Sequence, residues 1–372
     1  MTNAQGQDGS KVLYMSIEVS EKTWDLRFTD LVGERRKAVN AWDRGAFMSE
    51  VQRAKSHFGL PVKCGVSSCY EAGRCGFSLH RFVESVGIDN LVVDPASIEV
   101  SRRKRRRKTD RIDGKKLLQM LVRYRVYGET NCWQVCQVPS VEAEAARRLD
   151  REYDRLKKES KAHVSRIGSL LALHGRKLKY VDELKPGQIR DWSGRLLERA
   201  HQEEIGRELA RLRLVDEQLG VLAKQRREAI RKPQSKADRQ AAQLQLLHGI
   251  GEIGATALAR EFFGWRQFKN RRQVGAAAGL TGCPYNSGDS RVEQGISKAG
   301  SRRVRTLAIE LAWMWVRYQP QSALSLWFEK RFAHGGKRQR RIGIVAVARK
   351  LLVALWKFLE WGEIPEGAIL CP

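Results

Sequence analysis

The sequence predicts an α/β domain followed by two helical regions. Three observations carry this reading. Early in the chain, short runs of alternating hydrophobicity give way to helical spacing. The middle is rich in Glu, Arg, Lys, Leu and Ala, with apolar residues stepping by three and four. The last third keeps helical spacing, broken by Gly-rich turns. A chain of 372 residues is too long for one core, since domains run to about 100–200 residues. The expected divisions are 1–128, 129–238 and 239–372.

In the first region Lys11 to Val19 alternates as a strand, Trp24 to Thr29 repeats the pattern, and Arg35 to Val39 reads as a third, polar strand. Phe47, Val51 and Ala54 then take helical spacing. A strand at Val62 to Ser68, a helix at Leu79 to Val86 and a strand at Asn90 to Val93 follow, ending at Asp94-Pro95. The order β-β-β-α-β-α-β is that of a ribonuclease-H-like domain.

From Val141 to about Lys232, residues Ala146, Leu149, Tyr153, Leu156, Ser160, His163, Ile167 and Leu170 form a heptad seam with polar interruptions. A second seam runs through Ile205, Leu209, Leu212, Leu219 and Leu222. Gly175 and Pro186-Gly187 break the helix between them. The two arms therefore fold back on each other or pair between subunits, and polar seam positions favour a coiled-coil oligomerisation arm. Residues 233–239 (PQSKADR) read as a linker. The last region is mostly α, and HGIGEIG from His248 resembles the hairpin of helix-hairpin-helix modules, whose amides meet DNA phosphates.

Lys and Arg number 69 against 42 Asp and Glu, a formal charge of +27. Charge spread over the whole chain points to a polyanionic partner, nucleic acid. No run approaches the ~18 apolar residues of a spanning helix, and the start MTNAQGQDGSK lacks a signal-peptide core. A cytoplasmic protein without membrane partners is expected. Cysteines 64, 69, 75, 132, 136, 283 and 371 are scattered and make no CxxC pair, which suits reduced thiols.

Against this cationic background, four acidic residues fall where a ribonuclease-H-like sheet would gather them. Glu18 ends the first strand, Glu71 follows the fourth, and Asp110 and Asp113 stand one turn apart at a helix start. Hard Mg²⁺ takes oxygen ligands, and phosphodiester chemistry uses ions ~3.5–4 Å apart held by converging carboxylates. Asp25, at a hairpin position, and Asp94, in a strand-to-turn Asp-Pro, are discounted. The consecutive cations Arg102, Arg103, Lys104, Arg105, Arg106, Arg107 and Lys108 stand just ahead of Asp110. Charge neutralisation is a main term in nucleic-acid affinity, so this run is read as gripping phosphate beside the metal site. Tryptophans 313, 315, 327, 356 and 361 lie among cations including Lys337 and Arg338. Aromatics so placed can stack bases, but at helical spacing they are first a core.

The segments MSIEVSEK, SSCYEAGRCG, KTDRIDGKKL, HGIGEIGATALAREFFG and RRQVGAAAGLTGCPYNSGDSRVEQGISKAGSRRVRTLAIELAW resemble the DEDD-type insertion-sequence transposases. These are relatives of Piv-type DNA invertases, known as bridge-RNA-guided recombinases. The resemblance covers nearly the whole chain, and AGLT followed by the Ser-Gly turn and SKAG carries it most specifically. It implies a RuvC-like domain holding Mg²⁺ with a tetrad that falls on Glu18, Glu71, Asp110 and Asp113, with Glu in place of the family's first Asp. It implies a nucleophilic serine in the C-terminal transposase domain, falling on Ser287, a structured noncoding guide RNA, and a dimer or tetramer.

Read from its own residues, Ser287 follows Cys283-Pro284, taken to stop regular structure, and Asn-Ser-Gly makes a tight exposed turn. A serine hydroxyl is a weak nucleophile needing a base, a metal or clustered cations. Lys298, Arg302, Arg303 and Arg305 downstream are the expected cations, with Ser290 and Ser297 as rival nucleophiles. The expectation is a DNA recombinase of a mobile insertion element working through a phosphoserine intermediate. A RuvC-like structure-specific nuclease using water and a non-catalytic nucleoprotein scaffold are the alternatives.

Overall fold

The computed structural model describes residues 11–73, 76–98, 110–287 and 290–371, with backbone alone for 110–113, 285–287 and 290–293. The protein is mixed α/β, and its chain divides into two compact units, Met1–Val138 and Pro139–Pro372. No helix among the described residues is long and apolar enough to cross a membrane.

In the first unit β1 (Leu13–Val19), β2 (Thr23–Thr29) and β3 (Glu34–Asn40) form an antiparallel meander. Helix α1 (Arg44–His57), capped by Asp43, leads to β4 (Val66–Glu71), and α2 (Ser78–Ser85) leads to β5 (Asp89–Val93). The sheet order is β3-β2-β1-β4-β5, with β4 parallel to β1 and β5 parallel to β4. Strand alternation sends Leu13, Met15, Ile17, Trp24, Leu26 and Phe28 to one face, where they are fully buried with Phe47 of α1 and Leu79 of α2. On the opposite face Cys69 and Val93 pack with Leu117, Met120 and Leu121 of α3 (Asp110–Arg125).

The fourth strand starts later than expected. Lys55 Nζ donates to the carbonyls of Val62 (2.8 Å) and Cys64 (2.9 Å), turning that stretch, and Val62 is exposed. Glu71 is therefore the last residue of β4 instead of following it.

The second unit begins with two 33-residue helices, α4 (Val141–Leu173) and α5 (Arg199–Arg231). Left-handed Gly175 and Gly187 lie between them as expected. The helices fold back antiparallel on each other, burying Ile167 and Leu171 against Ile205, Leu209 and Leu212. The predicted seam does not hold at the start of α4. Leu149 is exposed, while Asp150, 2% exposed, points inward. Its Oδ1 accepts from Arg226 Nη2 (3.2 Å) and Thr256 Oγ1 (3.3 Å), and its Oδ2 from Arg260 Nη1 (3.4 Å). Because this carboxylate balances two guanidiniums that are themselves buried, Asp150→Ala takes the counter-charge from Arg226 and leaves Arg260 with Asp238 alone (3.1 Å). We expect a loss of ~3–5 kcal/mol in chemical denaturation of this unit. A change within about 0.5 kcal/mol, the range of a surface substitution, would show that the cluster does not matter.

A second polar layer lies farther along the hairpin. Glu208 Oε2 is 2.6 Å from His163 Nδ1 and accepts from Arg166 Nε (2.9 Å), while Oε1 accepts from Arg211 Nη1 (2.6 Å). The His163 hydrogen bond, followed by Arg166 and then Arg211, outweighs desolvation and holds the Glu208 carboxyl at about 2, down from 4.5. A depressed carboxylate contributes stability that is complete above its unfolded value and lost as pH falls through its folded one. The melting temperature should therefore fall between pH 4.5 and 2, and Glu208→Gln should flatten that limb. An identical acid limb in the variant would remove Glu208 as its source.

The expected linker is shorter than read, since a Ser235–Asp238 capping box starts α6 (Lys236–Gln245) inside it. There follow α7 (Glu252–Leu258), continued by a π turn at Ala259–Phe263, and α8 (Arg271–Ala277). Strands β6 (Gly282–Ser287) and β7 (Ser290–Ile296) form an antiparallel pair. The last helices are α9 (Arg302–Tyr318), α10 (Ala323–Phe328), extended by a π turn to Ala333, and α11 (Lys337–Trp361). Trp315 and Trp356 are core, as expected of them, whereas Trp313 and Trp361 are exposed. The helix-hairpin-helix-like turn is packed inward at Ile250 and open at His248, Gly251 and Ile253. Ile250 is buried, and a Cβ on left-handed Gly249 would lie 3.1 Å from Tyr318 Cβ.

Candidate active site

Two places gather the residues expected to do chemistry, one in each unit. In the first, parallel pairing aligns Ile17 with Tyr70, so the next residues, Glu18 and Glu71, come level at the carboxyl ends of adjacent strands. By alternation both belong to the face that carries Ser16 and Cys69. Helix α3 is fastened to that face: Ser16 Oγ donates to Gly114 O (2.8 Å), and Cys69 Sγ to Leu117 O (3.7 Å). A Cβ on Gly114 would stand 3.3 Å from Glu18 Oε2 and 2.9 Å from Arg27 Nε, so glycine is what lets the helix come this close. Asp110 and Asp113 occupy the first turn of α3, immediately ahead of Gly114. Glu18 and Glu71 are thus brought together, with the backbone of Asp110 and Asp113 at the start of the covering helix. The donor set is all oxygen, which suits a hard divalent cation. Burial pushes the Cys69 thiol up, so it stays protonated and unreactive on this face.

Sequence reasoning discounted Asp25 and passed over Arg27. Asp25 sits in the β1–β2 hairpin as read, within β2 and directly opposite Glu18, held by Arg36 Nε (2.9 Å) and 3.8 Å from Arg27 Nη2. Arg27 is buried on the same face. The period-two pattern of TWDLRFT carries both placements, once β2 is recognised as a neighbour of β1. Asp94 is a turn residue as read, its Oδ1 accepting from Ala96 N (2.9 Å). The run Arg102 to Lys108 lies outside the described residues.

The second place is the β6–β7 hairpin. Cys283 and Pro284 do not stop regular structure. They sit inside β6, where the register shifts between Gly282 and Pro284, an irregularity that accommodates the proline. Ser287 is the last residue of β6 and pairs with Ser290. Two loops clamp the base of the hairpin. Lys298 N donates to Gly279 O (3.2 Å), Ser297 N to Thr281 O (2.8 Å) and Ser301 N to Ala277 O (3.2 Å). Gly279 and Gly300 are both left-handed, and a Cβ on either would strike the other loop's backbone at Ala299 or Ala277. Lys298 itself holds φ +56, an uncommon conformation for lysine that marks a constrained position.

The expected cations sit at this base, and β7 separates them from the Ser287 end by about 20 Å of strand. Arg305 Nη1 is engaged with the carbonyls of Ala278 (3.3 Å) and Lys298 (3.1 Å), and Arg303 pairs with Asp154 (2.8 Å) and Glu261 (3.4 Å). Arg302 is exposed. Register places Arg291 opposite Asn286, next to the Ser287–Ser290 pair. Ser297 is tied to the base, its Oγ accepting from Thr281 Oγ1 (3.3 Å). Lys337 and Arg338 open α11.

Residues 241–326 match the family described as Transposase IS116/IS110/IS902. The chain is 41% identical to the putative transposase y4rJ of Sinorhizobium fredii, over 96% of this chain and 94% of that protein. It is 29% identical to the putative transposase y4qE of the same organism, over 68% and 59%. With the transposase for insertion sequence element IS1111A of Coxiella burnetii it shares 24% identity over 87% and 86%.

Proposed function

Because the chain belongs to the IS116/IS110/IS902 transposase family, acting on the DNA of an insertion element, we propose that it recombines that DNA through a covalent phosphoserine intermediate at Ser287, guided by a noncoding RNA. The single observation that carries the reading is the level placement of Glu18 and Glu71 at adjacent strand ends beneath the helix that begins with Asp110 and Asp113. The sheet order β3-β2-β1-β4-β5, with one antiparallel side and one parallel side, supports a ribonuclease-H-like, RuvC-like fold for the first unit.

Glu18, Glu71, Asp110 and Asp113 would hold Mg²⁺. When bound, the ion would supply Lewis-acid polarisation of the scissile phosphate. The chain's own residues do the rest. Ser287 Oγ bonds to phosphorus, the P–O3′ bond breaks, the serine proton leaves to a base and the 3′ oxygen takes up a proton. Because the Oγ–P bond conserves the phosphodiester linkage, a new 3′-hydroxyl can displace serine without an external energy source. No helix-turn-helix or zinc module that would read base edges is recognisable in the sequence, which supports delegating sequence choice to a paired RNA. Carboxylate and serine sites on separate units suit a dimer or tetramer in which one subunit's carboxylates serve another's serine.

The test is to incubate end-labelled element DNA with protein, Mg²⁺ and RNA transcribed from the element's flank, then denature and digest with protease. A labelled species whose mobility depends on digestion is expected. Cleavage without it would favour the hydrolytic nuclease, and no cleavage the scaffold.

A further inference from the structure

Within the second unit, α4, α7 and α9 enclose a groove of about 780 Å³. Its rim is formed by Arg155, Lys157, Lys158 and Lys161 of α4 and by Arg302 at the start of α9. All five side chains are exposed, and among the described residues none of them is in an ion pair. Apolar Ile253, Ala257 and Leu307 lie beneath them. Charges closer to the floor are already neutralised. Arg151 Nε donates to Glu261 Oε1 (2.6 Å), and Arg303 Nη2 is 2.8 Å from Asp154 Oδ2. The Arg303–Asp154 pair ties α9 to α4 and the Arg151–Glu261 pair ties α4 to the turn after α7, while the rim cations stay available. Among the lining residues only Glu310 and Asp154 oppose them.

Spacing gives the groove a direction. Arg151, Asp154, Arg155, Lys158 and Lys161 recur at three- and four-residue steps, so they share one face of α4 along about 15 Å of helix axis. Cations one turn apart stand ~5.4 Å from each other, whereas a duplex strand carries one negative charge per ~3.4 Å of its axis. Arg155, Lys158 and Lys161, at three-residue steps of ~4.5 Å, come close to that spacing. An open, elongated cationic groove with an apolar floor does not enclose a small anion, and it offers no donor array that would read base edges.

We infer that this groove, which shares Arg302 and Arg303 with the base of the hairpin, is a sequence-independent track for the phosphodiester backbone of a nucleic acid. It rests on the transposase reading only for the partner's class. DNA and RNA share the recognised chemistry, so the test carries both.

Full-length protein with Arg155→Gln, Lys158→Gln and Lys161→Gln together is titrated with mixed-sequence duplex DNA and, separately, duplex RNA over a range of salt. The control carries Arg213→Gln, Lys224→Gln and Arg227→Gln, three exposed positions of α5 that remove the same charge. The slope of log affinity against log salt should fall by roughly 2 to 3 in the groove variant, at ~0.9 per phosphate contact. The control should keep the wild-type slope. The nucleic acid for which the slope falls identifies the partner. A groove variant whose slope for both ligands matches that of wild type or of the control overturns the inference. Binding is measured without Mg²⁺, so protein that forms no covalent adduct still reports on the groove. A fallen slope beside a missing adduct keeps the track and removes only the recombinase chemistry.

Discussion

Replacing Ser287 with alanine is expected to eliminate both the protein–DNA adduct and the recombinant product, a loss of about 10⁴-fold or more, the scale on which removing a nucleophile acts. The reason is chemical. If Oγ is the atom that bonds to phosphorus, no other group at that position can store the phosphodiester linkage, and residual water attack would cut the strand without conserving it. Ser287 ends a strand at the far end of a two-stranded ribbon whose base is clamped by backbone hydrogen bonds. Deleting one oxygen there should leave stability within about 0.5 kcal/mol. Ser290, its pairing partner, and Ser297, held at the base by Thr281, serve as controls, and their alanine variants should keep the adduct. Adduct formation by Ser287→Ala would place the nucleophile elsewhere.

The second large effect is expected at Glu18. Glu18→Gln keeps the side chain's shape and removes its charge, so the tight approach of α3, where Gly114 leaves 3.3 Å between a would-be Cβ and Glu18 Oε2, is preserved. Mg²⁺-dependent cleavage should nevertheless fall by about 10⁴-fold, since a metal site supplies several kcal/mol of transition-state stabilisation. Melting temperature and nucleic-acid affinity should be close to wild type, which separates loss of the site from loss of the fold. Glu18→Asp draws the carboxylate back by one methylene and restores the residue found in the resembling family. It should retain or raise cleavage. Full activity in Glu18→Gln would remove Glu18 from the site.

The strand-end positions of Glu18 and Glu71 were legible because strand alternation is a local property of the chain, whereas their level placement rests on the β1–β4 register. LYMSIEV and VSSCYE each announce a half-buried strand, and a residue just past the buried run falls at the sheet's edge. That Asp25 faces Glu18 across β1–β2 was not legible, because it is a register fact. Pro284 was misread because a proline normally ends a central strand, whereas a two-stranded ribbon has outer edges that tolerate a missing donor. Leu149 and Asp150 exchanged their expected places because heptad counting follows hydrophobicity alone. Two buried guanidiniums from α5 and the π turn after α7 make a buried aspartate the better partner.

By itself the sequence determined the sheet's alternation, the helical arms and their glycine breaks, the cationic balance and the strand-end positions of Glu18 and Glu71. These follow from periodicity and composition, which short windows carry. Tertiary structure decided that the two arms pack on each other through Ile167, Leu171, Ile205, Leu209 and Leu212, that Gly114 sets the distance between α3 and Glu18, and that Gly279 and Gly300 lock the hairpin's base. It also decided that cations far apart in sequence, on α4 and α9, line one groove. Each of these depends on which surfaces meet, and contact between distant segments is set by packing and by charges that must be balanced once buried, neither of which has a local signature.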